Sequence, residues 1–294
     1  MNIASFFNTF CSNIAIPQSK RTTMSNRRKS IAKRLNLDFR GYSTESYCFY
    51  AGSVGRNTAN KTVSDIDMIF VMPWSIYTKY NNYQSNGQSQ FLQSVKNSIA
   101  TTYPNTYLNG DGQVVVVNFS DGMKFEVIPA FENDNGTYIY ADSNNGGTWL
   151  KTNPKAEIKA IKDGDAATSN NLHQLCRIMR SWKSKCDVPI KSCLLDTLAY
   201  RFLTNYEYKD KSYLYYDWMS RDFFLYFSNI DKDQFLWKMI GSGNNVYNFD
   251  NFRPKAKKAC EKAVSAIDHA TSNCDFSAAS DWHDIFGTDF PWSV

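Results

Sequence analysis

Two short stretches decide the fold: AGSVGRNT at Ala51–Thr58 and SDIDMIFV at Ser64–Val71. The pattern indicates a strand that ends in a Gly-Ser turn, a short loop, and a second strand that begins with two carboxylates. Side chains alternate along a strand, so Asp65 and Asp67 project from the same face. Two carboxylates held side by side repel each other, and a divalent cation bound between them would relieve that repulsion.

The residues around this pair favour a phosphate-binding site. Gly52 lets the backbone approach a ligand closely, and the Ser53 hydroxyl with neighbouring N–H groups can hold a phosphate. Glu126 offers a third carboxylate, because it stands among apolar residues in the strand-like run Lys124–Ile128. Magnesium binds a few carboxylates together with substrate phosphates and suits this layout. The alternative interpretation makes Glu126 an edge-strand residue that faces water.

Strand-like runs concentrate in the first half of the chain, which we expect to build one mainly antiparallel sheet. The runs are Tyr47–Ala51, Ile66–Met72, Val114–Phe119 and Lys124–Ile128. Ser120–Gly122 is typical of a hairpin turn between the last two runs, and Phe91–Ala100 is predicted to be a short helix.

The second half of the chain is predicted to be helical. Leu172, Leu175 and Met179 recur at helical spacing, and similar patterns follow up to Ile267. The aromatic-rich stretch Tyr213–Phe227 is interpreted as core rather than as a platform for stacking bases, because aromatics at helical spacing usually pack inward.

Length and composition exclude several classes of protein. The 294 residues leave room for about two domains, at roughly 150 residues each. No run approaches the roughly 18 apolar residues of a membrane span, and the first basic residue, Lys20, comes too late for a signal peptide. Seven cysteines without a C-x-x-C pair argue against a disulfide scaffold or a thiolate zinc site. We therefore expect a cytoplasmic protein without a membrane partner.

Positive charge is concentrated near the N-terminus, although the net charge of the chain is only +5. Between Lys20 and Arg40 eight basic residues stand against one acidic residue, Asp38. This basic segment is either a surface that attracts nucleic acid or nucleotides, or a solvated helix face. The apolar spacing before it, from Ile3 to Ile14, predicts an amphipathic helix.

The order of the acidic elements resembles that of the polymerase beta-type nucleotidyltransferases. Within them it is similar to the branch that contains oligoadenylate synthase, cyclic GMP-AMP synthase and the bacterial CD-NTases. The resemblance lies in the Gly-Ser turn, the Asp-x-Asp pair, and an acid within FEVIPAF at Phe125–Phe131. The runs Trp149–Pro154, Leu175–Lys183 and Trp282–Gly287 also resemble the bacterial members, so the similarity spans nearly the whole chain.

The resemblance implies an α+β, two-lobed polymerase beta-like fold. A catalytic lobe with N-terminal helices would occupy residues 1–150, and a helical lobe residues 151–294. The implied site has Asp65, Asp67 and Glu126 as catalytic carboxylates and ligands of two Mg²⁺ ions, with Mn²⁺ as the alternative. The residues implied to hold the donor triphosphate are Gly52, Ser53, Arg180, Lys183 and Ser192.

The implied activity is the joining of ATP, GTP or pyrimidine nucleoside triphosphates into a cyclic di- or trinucleotide second messenger, with release of pyrophosphate. Such a product would serve CBASS anti-phage defence, in which a separate effector binds the product rather than this chain. Three alternatives remain open: a linear oligonucleotide synthase, nucleotidyl transfer to another acceptor, and a catalytically silent nucleotide- or RNA-binding module.

Three departures from the family pattern limit which residue roles can be transferred from the family to this chain. Glu126 stands where many relatives have Asp, which moves the carboxylate by about one methylene, or roughly 1.5 Å. Cys193 follows Ser192 where several relatives carry a base-stacking Tyr, so no stacking residue is assigned. No His/Cys cluster resembles the zinc insertion of the animal DNA sensor, so activation by double-stranded DNA is not expected.

Overall fold

In the computed structural model, which describes residues 1–294, a seven-stranded sheet lies in the first half of the chain. Its strands are β1 Cys48–Tyr50, β2 Asp65–Val71, β3 Tyr107–Asp111, β4 Val114–Asn118, β5 Lys124–Glu132, β6 Tyr138–Asp142 and β7 Thr148–Thr152. The strand order is β1-β2-β5-β4-β3, and β6 pairs with both β5 and β7. Only the β2–β5 pair is parallel, which confirms the predicted mainly antiparallel sheet.

The predicted hairpin turn joins β4 to β5. The Phe119 N–H donates to the Met123 carbonyl over 2.9 Å, and the Gly122 N–H donates to the Phe119 carbonyl over 3.0 Å. Gly122 has a φ of +83°, a conformation that side chains other than glycine rarely adopt, so the glycine is what allows the tight turn.

Eleven α-helices accompany the sheet. They are α1 Ile3–Ile14, α2 Gln18–Arg40, α3 Gly52–Gly55, α4 Trp74–Asn81, α5 Gly87–Thr102, α6 Pro154–Ala166, α7 Asn171–Lys185, α8 Ser192–Leu203, α9 Tyr216–Ser228, α10 Arg253–Thr271 and α11 Asp275–Phe286. Helix α5 confirms and extends the predicted helix at Phe91–Ala100. The second half is helical, as predicted, apart from a small hairpin of β8 Leu236–Lys238 and β9 Asn245–Tyr247, which the sequence did not indicate.

The chain divides into two compact units. We call Pro17–Arg56 with Val63–Ile158 the sheet unit, and Met1–Ile16, Asn57–Thr62 and Lys159–Val294 the helical unit. The structure thus differs from the predicted division at residue 150 in two respects. The first 16 residues and the short segment 57–62 belong to the helical unit, and the sheet unit continues to Ile158.

Burial of an aromatic face explains why α1 belongs to the helical unit. Phe7 and Phe10 are fully buried, which agrees with the predicted amphipathic helix. The Phe7 ring lies 5.3 Å from that of Trp282, and the Phe10 ring lies 4.9 Å from that of Phe286, measured between centroids. Asn2 caps the start of the helix, where its side-chain oxygen accepts the Ser5 N–H over 3.2 Å.

The same core absorbs much of the aromatic stretch after residue 212. Phe223, Phe224 and Phe227 of α9 are fully buried, and the Trp182 ring lies 5.0 Å from that of Phe224. These contacts confirm the interpretation of the stretch as core. None of the helices is both long and apolar enough to span a bilayer.

Replacing Phe7 by Ala should destabilise the helical unit by about 3–5 kcal/mol, because a large buried ring is lost and a cavity remains. The matched control is Phe276→Ala, since Phe276 is 74% exposed and its loss should cost less than about 0.5 kcal/mol. Urea denaturation followed by tryptophan fluorescence measures both. Equal midpoints for the two variants would show that α1 does not contribute to this core.

Candidate active site

The parallel pairing of β2 with β5 brings the three predicted carboxylates to one face of the sheet. Asp67 is the register partner of Glu126, and Asp65 is the register partner of Lys124. Register partners on neighbouring strands point the same way, so all four side chains share a face. Because β5 also pairs with β4, Glu126 stands on an interior strand, which rules out the edge-strand interpretation.

Gly52 stands against Asp67 and leaves no room for a side chain. A Cβ at position 52 would lie 1.8 Å from the Asp67 Oδ2, and the φ of Gly52 is +53°. The Ala51 N–H donates to the Asp67 carbonyl over 2.9 Å, which ties the turn to the start of β2. Glycine at this position therefore allows the Gly-Ser turn to lie beside the carboxylates.

The acidic side chains of this cluster repel one another, and the repulsion shifts the pKa of Asp67. Burial, followed by the charge of Glu126, raises the pKa of Asp67 to about 6, and Asp65 adds to the effect. The positive charge of Arg56 opposes the shift. Arg56 is itself buried and donates to the Glu157 Oε2 over 2.9 Å. Positive charge brought to the cluster would favour ionised Asp67.

Lys124 is the member of the cluster that the sequence reasoning missed. Its Nζ lies 2.7 Å from the Glu126 Oε1 and 3.3 Å from the Asp65 Oδ1. These contacts raise the pKa of Lys124 above its ordinary value, the hydrogen bond to Glu126 being the main cause. The available signal was its place two residues before Glu126, which puts both side chains on the same face of β5.

The carboxylates fit a hard divalent cation in chemistry and placement. Carboxylate oxygens are the ligands that Mg²⁺ and Mn²⁺ prefer, and Lys124 already brings positive charge between two of them. As the side chains stand, no three His, Cys, Asp or Glu residues form a ready ligand cluster. Asp65, Asp67 and Glu126 would hold such a cation, and Lys124 is the positive charge that contacts two of them in its absence.

Arg180 has a partner that differs from the one implied by the resemblance. Its guanidinium donates to both carboxylate oxygens of Asp196, over 3.2 and 2.7 Å, and Asp196 is fully buried in α8. The Thr58 hydroxyl also donates to Asp196, over 2.7 Å. A buried carboxylate requires such a partner, so Arg180 neutralises Asp196 within the helical unit. The structure thus gives Arg180 a partner within the fold, and its contact with the donor triphosphate stays a prediction.

Lys183 and Ser192, the other two predicted triphosphate ligands of the helical unit, lie near Arg180 on α7 and α8. Lys183 is half-buried one turn after Arg180, and Ser192 is the first residue of α8. The Arg180 guanidinium also donates to the Ser192 carbonyl, over 3.4 Å. Asp196 was missed by the sequence reasoning, although an acid inside the apolar run Leu194–Ala199 was a signal for it.

The basic segment on α2 makes many contacts within the sheet unit. Arg27 binds Asp121 over 2.9 Å, and its guanidinium lies 3.8 Å from the centroid of the Phe119 ring. Other contacts of the segment join Lys29 and Lys33 to Glu45, Arg34 to Asp38, and Arg40 to the Val71 carbonyl. At least four of the eight basic residues of this segment therefore form ion pairs with acidic side chains of the sheet unit.

The chain was compared with known proteins. A family described as "Second Messenger Oligonucleotide or Dinucleotide Synthetase domain", or SMODS, matches residues 1–164. A probable cyclic nucleotide synthase of Bacillus cereus strain VD146 is 21% identical over 274 residues, covering 82% of this chain and 81% of the relative.

Solved structures show the same fold. Escherichia coli MS115-1 CdnC, in its complex with HORMA-deltaN, superposes with a TM-score of 0.73 at 15% identity, covering 98% of each chain. Vibrio cholerae DncV, a cyclic AMP-GMP synthase, superposes with a TM-score of 0.73 at 12% identity, covering 99% of this chain and 97% of DncV. At these identities the likeness concerns the fold alone, which is the predicted polymerase beta-like α+β fold.

The family match extends over more than half of the chain and includes the Gly-Ser turn and the three carboxylates. The chain therefore belongs to the SMODS family of second messenger oligonucleotide or dinucleotide synthetases, and it is a nucleotidyltransferase of the CD-NTase type.

Proposed function

We propose that this enzyme joins nucleoside triphosphates into a cyclic di- or trinucleotide and releases pyrophosphate, with two divalent cations, Mg²⁺ or Mn²⁺, bound at Asp65, Asp67 and Glu126. The observation that carries the proposal is the register of β2 and β5, which aligns these carboxylates beside the Gly52–Ser53 turn. Solved relatives that contain ATP, GTP or the linear intermediate pppA(3′,5′)pG support nucleoside triphosphates as substrates.

The three carboxylates have two tasks in the proposed reaction. Asp65 and Asp67 hold the cations, and Glu126 also orients the ribose hydroxyl of the acceptor and accepts its proton. The hydroxyl oxygen then bonds to the α-phosphorus, while the bond from that phosphorus to the pyrophosphate oxygen breaks. Bound cations supply Lewis-acid stabilisation of the attacking and leaving oxygens.

The remaining residues would bind the donor triphosphate. The small Gly52 allows the turn to approach it, and the Ser53 hydroxyl donates to a phosphate oxygen. Lys183 contributes a positive charge and Ser192 a hydroxyl, and their assignment rests on the resemblance of α7 and α8 to the family. Arg180 holds Asp196, and through it Thr58, in place, and its assignment as a triphosphate ligand likewise rests on the resemblance.

We also propose a role in CBASS anti-phage defence, in which the diffusible cyclic nucleotide would activate a separate effector. The product also separates this proposal from its rivals. A linear oligonucleotide synthase or an enzyme that modifies another acceptor could use the same three carboxylates, and a silent binding module would make no product.

Product analysis is the direct test of the proposal. Purified protein is incubated with all four triphosphates and Mg²⁺, and the products are treated with phosphatase and identified by mass spectrometry. We expect a cyclised species that phosphatase leaves intact. A product that loses its terminal phosphates would indicate a linear synthase, and the absence of pyrophosphate release would contradict the enzymatic proposal altogether.

Asp65→Asn and Asp67→Asn should each lower turnover at least about 100-fold, equivalent to about 2.7 kcal/mol of transition-state stabilisation. Their melting temperatures should be unchanged or slightly higher, because repulsion within the cluster is relieved. The control is Asp134→Asn, at an exposed position in the turn after β5, which should keep full turnover. Near wild-type turnover in either cluster variant would refute the assignment of the cation ligands.

Arg180→Ala should destabilise the protein by about 3–5 kcal/mol, because the buried Asp196 loses its charged partner. Lys183→Ala should instead raise the KM for the triphosphate and leave the melting temperature unchanged. Thermal denaturation and steady-state kinetics separate the two effects. If Arg180→Ala raised the KM without lowering the melting temperature, binding of phosphate would be its main role and the pair with Asp196 would contribute little stability.

Duplex DNA should not activate the enzyme, because much of the charge of the basic segment is already paired within the sheet unit. Binding to DNA should be weak, and its affinity should fall steeply between about 50 and 200 mM salt because it would rest on contacts with phosphates alone. Turnover measured with and without duplex should differ by less than about twofold. A salt-resistant complex that raises the rate about tenfold, or 1.4 kcal/mol, would make the segment a sensor.

A further inference from the structure

Lys124 occupies a position that the proposed reaction does not use. Its ammonium group bridges carboxylates of two strands, at 2.7 Å from Glu126 and 3.3 Å from Asp65. On its other side, the register partner of Lys124 on β4 is the neutral Asn118. Lys124 thus contacts two of the three acids directly.

The backbone geometry of β2 and β5 places Lys124 beside Glu126 and Asp65. Lys124 precedes Glu126 by two residues on β5, so the strand directs both side chains to the same face. The parallel register sets Lys124 directly opposite Asp65 and Glu126 directly opposite Asp67. One positive and three negative side chains therefore form a compact square on neighbouring strands.

We propose that Lys124 is the resident counter-ion of the acid cluster and competes with the divalent cation for Asp65 and Glu126. The inference rests on the proposed function, in which these carboxylates hold the cation. While Lys124 lies between them, it offsets their mutual repulsion and stabilises the cation-free fold. A cation that takes the same oxygens displaces the ammonium group, so Lys124 raises the cation concentration at which the site fills.

The solvent exposure of Lys124 and Glu126 sets the expected change in cation affinity. The Lys124 side chain is 32% exposed and that of Glu126 is 27% exposed, so each contact is partly screened by water. Partly exposed ion pairs are individually weak, and loss of both contacts together should change cation affinity about three- to tenfold. Lys124 tunes the affinity of the site and does not block it.

The test is a Mn²⁺ titration of the full chain, with free Mn²⁺ measured by electron paramagnetic resonance. Lys124→Met should bind Mn²⁺ about three- to tenfold more tightly than the wild type. Lys124→Arg, which keeps the charge, should retain the wild-type Kd. The matched control is Lys155→Met, which removes an equivalent 2.7 Å pair with Glu132 in the same unit and should leave the Kd unchanged.

Thermal denaturation provides a readout that does not depend on enzyme turnover. Without cation, Lys124→Met should melt below the wild type, and added Mn²⁺ should raise its melting temperature more than that of the wild type. If Lys124→Met is poorly folded, Lys124→Gln serves in both measurements. An unchanged or weaker affinity in the neutral variant would overturn the inference.

The inference and the proposed function fail in different ways. If the wild type binds Mn²⁺ and Asp67→Asn does not, the proposed cation site is supported. This holds even if Lys124→Met has no effect on the Mn²⁺ affinity. Wild-type protein that binds no Mn²⁺ at millimolar concentrations would overturn the cation site itself, and the inference about Lys124 with it.

Discussion

Parallel pairing of β2 with β5 is the constraint on which the proposed active site depends. The pairing sets Asp67 opposite Glu126 and Asp65 opposite Lys124, although the two strands are separated by more than 50 residues. A slip of one residue in this register would turn every side chain of one strand to the other face and separate the acids. The antiparallel strands on either side keep β2 and β5 in the interior of the sheet, where that register is fixed.

Three carboxylates on one face of the sheet repel one another, and the surrounding residues partly offset that repulsion. Burial and the neighbouring acids raise the pKa of Asp67, while Arg56 counteracts the rise. Lys124 contacts the other two acids directly. Gly52 lets the turn lie against Asp67, where any side chain would collide with the carboxylate. The cluster therefore favours incoming positive charge, which is what the proposed cation site requires.

Several charges that suggest ligand binding in the sequence are used by the fold itself. Arg180 forms an ion pair with the buried Asp196. Arg27 forms an ion pair with Asp121 and a cation–π contact with the Phe119 ring. Sequence patterns report that a side chain is charged, but they do not report which opposite charge lies within reach. Partners as distant in the chain as Arg27 and Asp121 are brought together only by folding.

The sequence alone determined those features that depend on neighbouring residues. Alternation placed Asp65 and Asp67 on one face, Gly122 marked the hairpin before β5, and apolar spacing identified α1 and the helical second half. The tertiary structure alone decided the features that depend on contacts between distant segments. These include the parallel register that joins Asp67 to Glu126, the place of Lys124 between two acids, the Arg180–Asp196 pair, and the grouping of α1 with the C-terminal helices. The physical reason is that local backbone preferences act over a few residues, whereas strand register and the partners of buried charges are settled by packing of the whole chain.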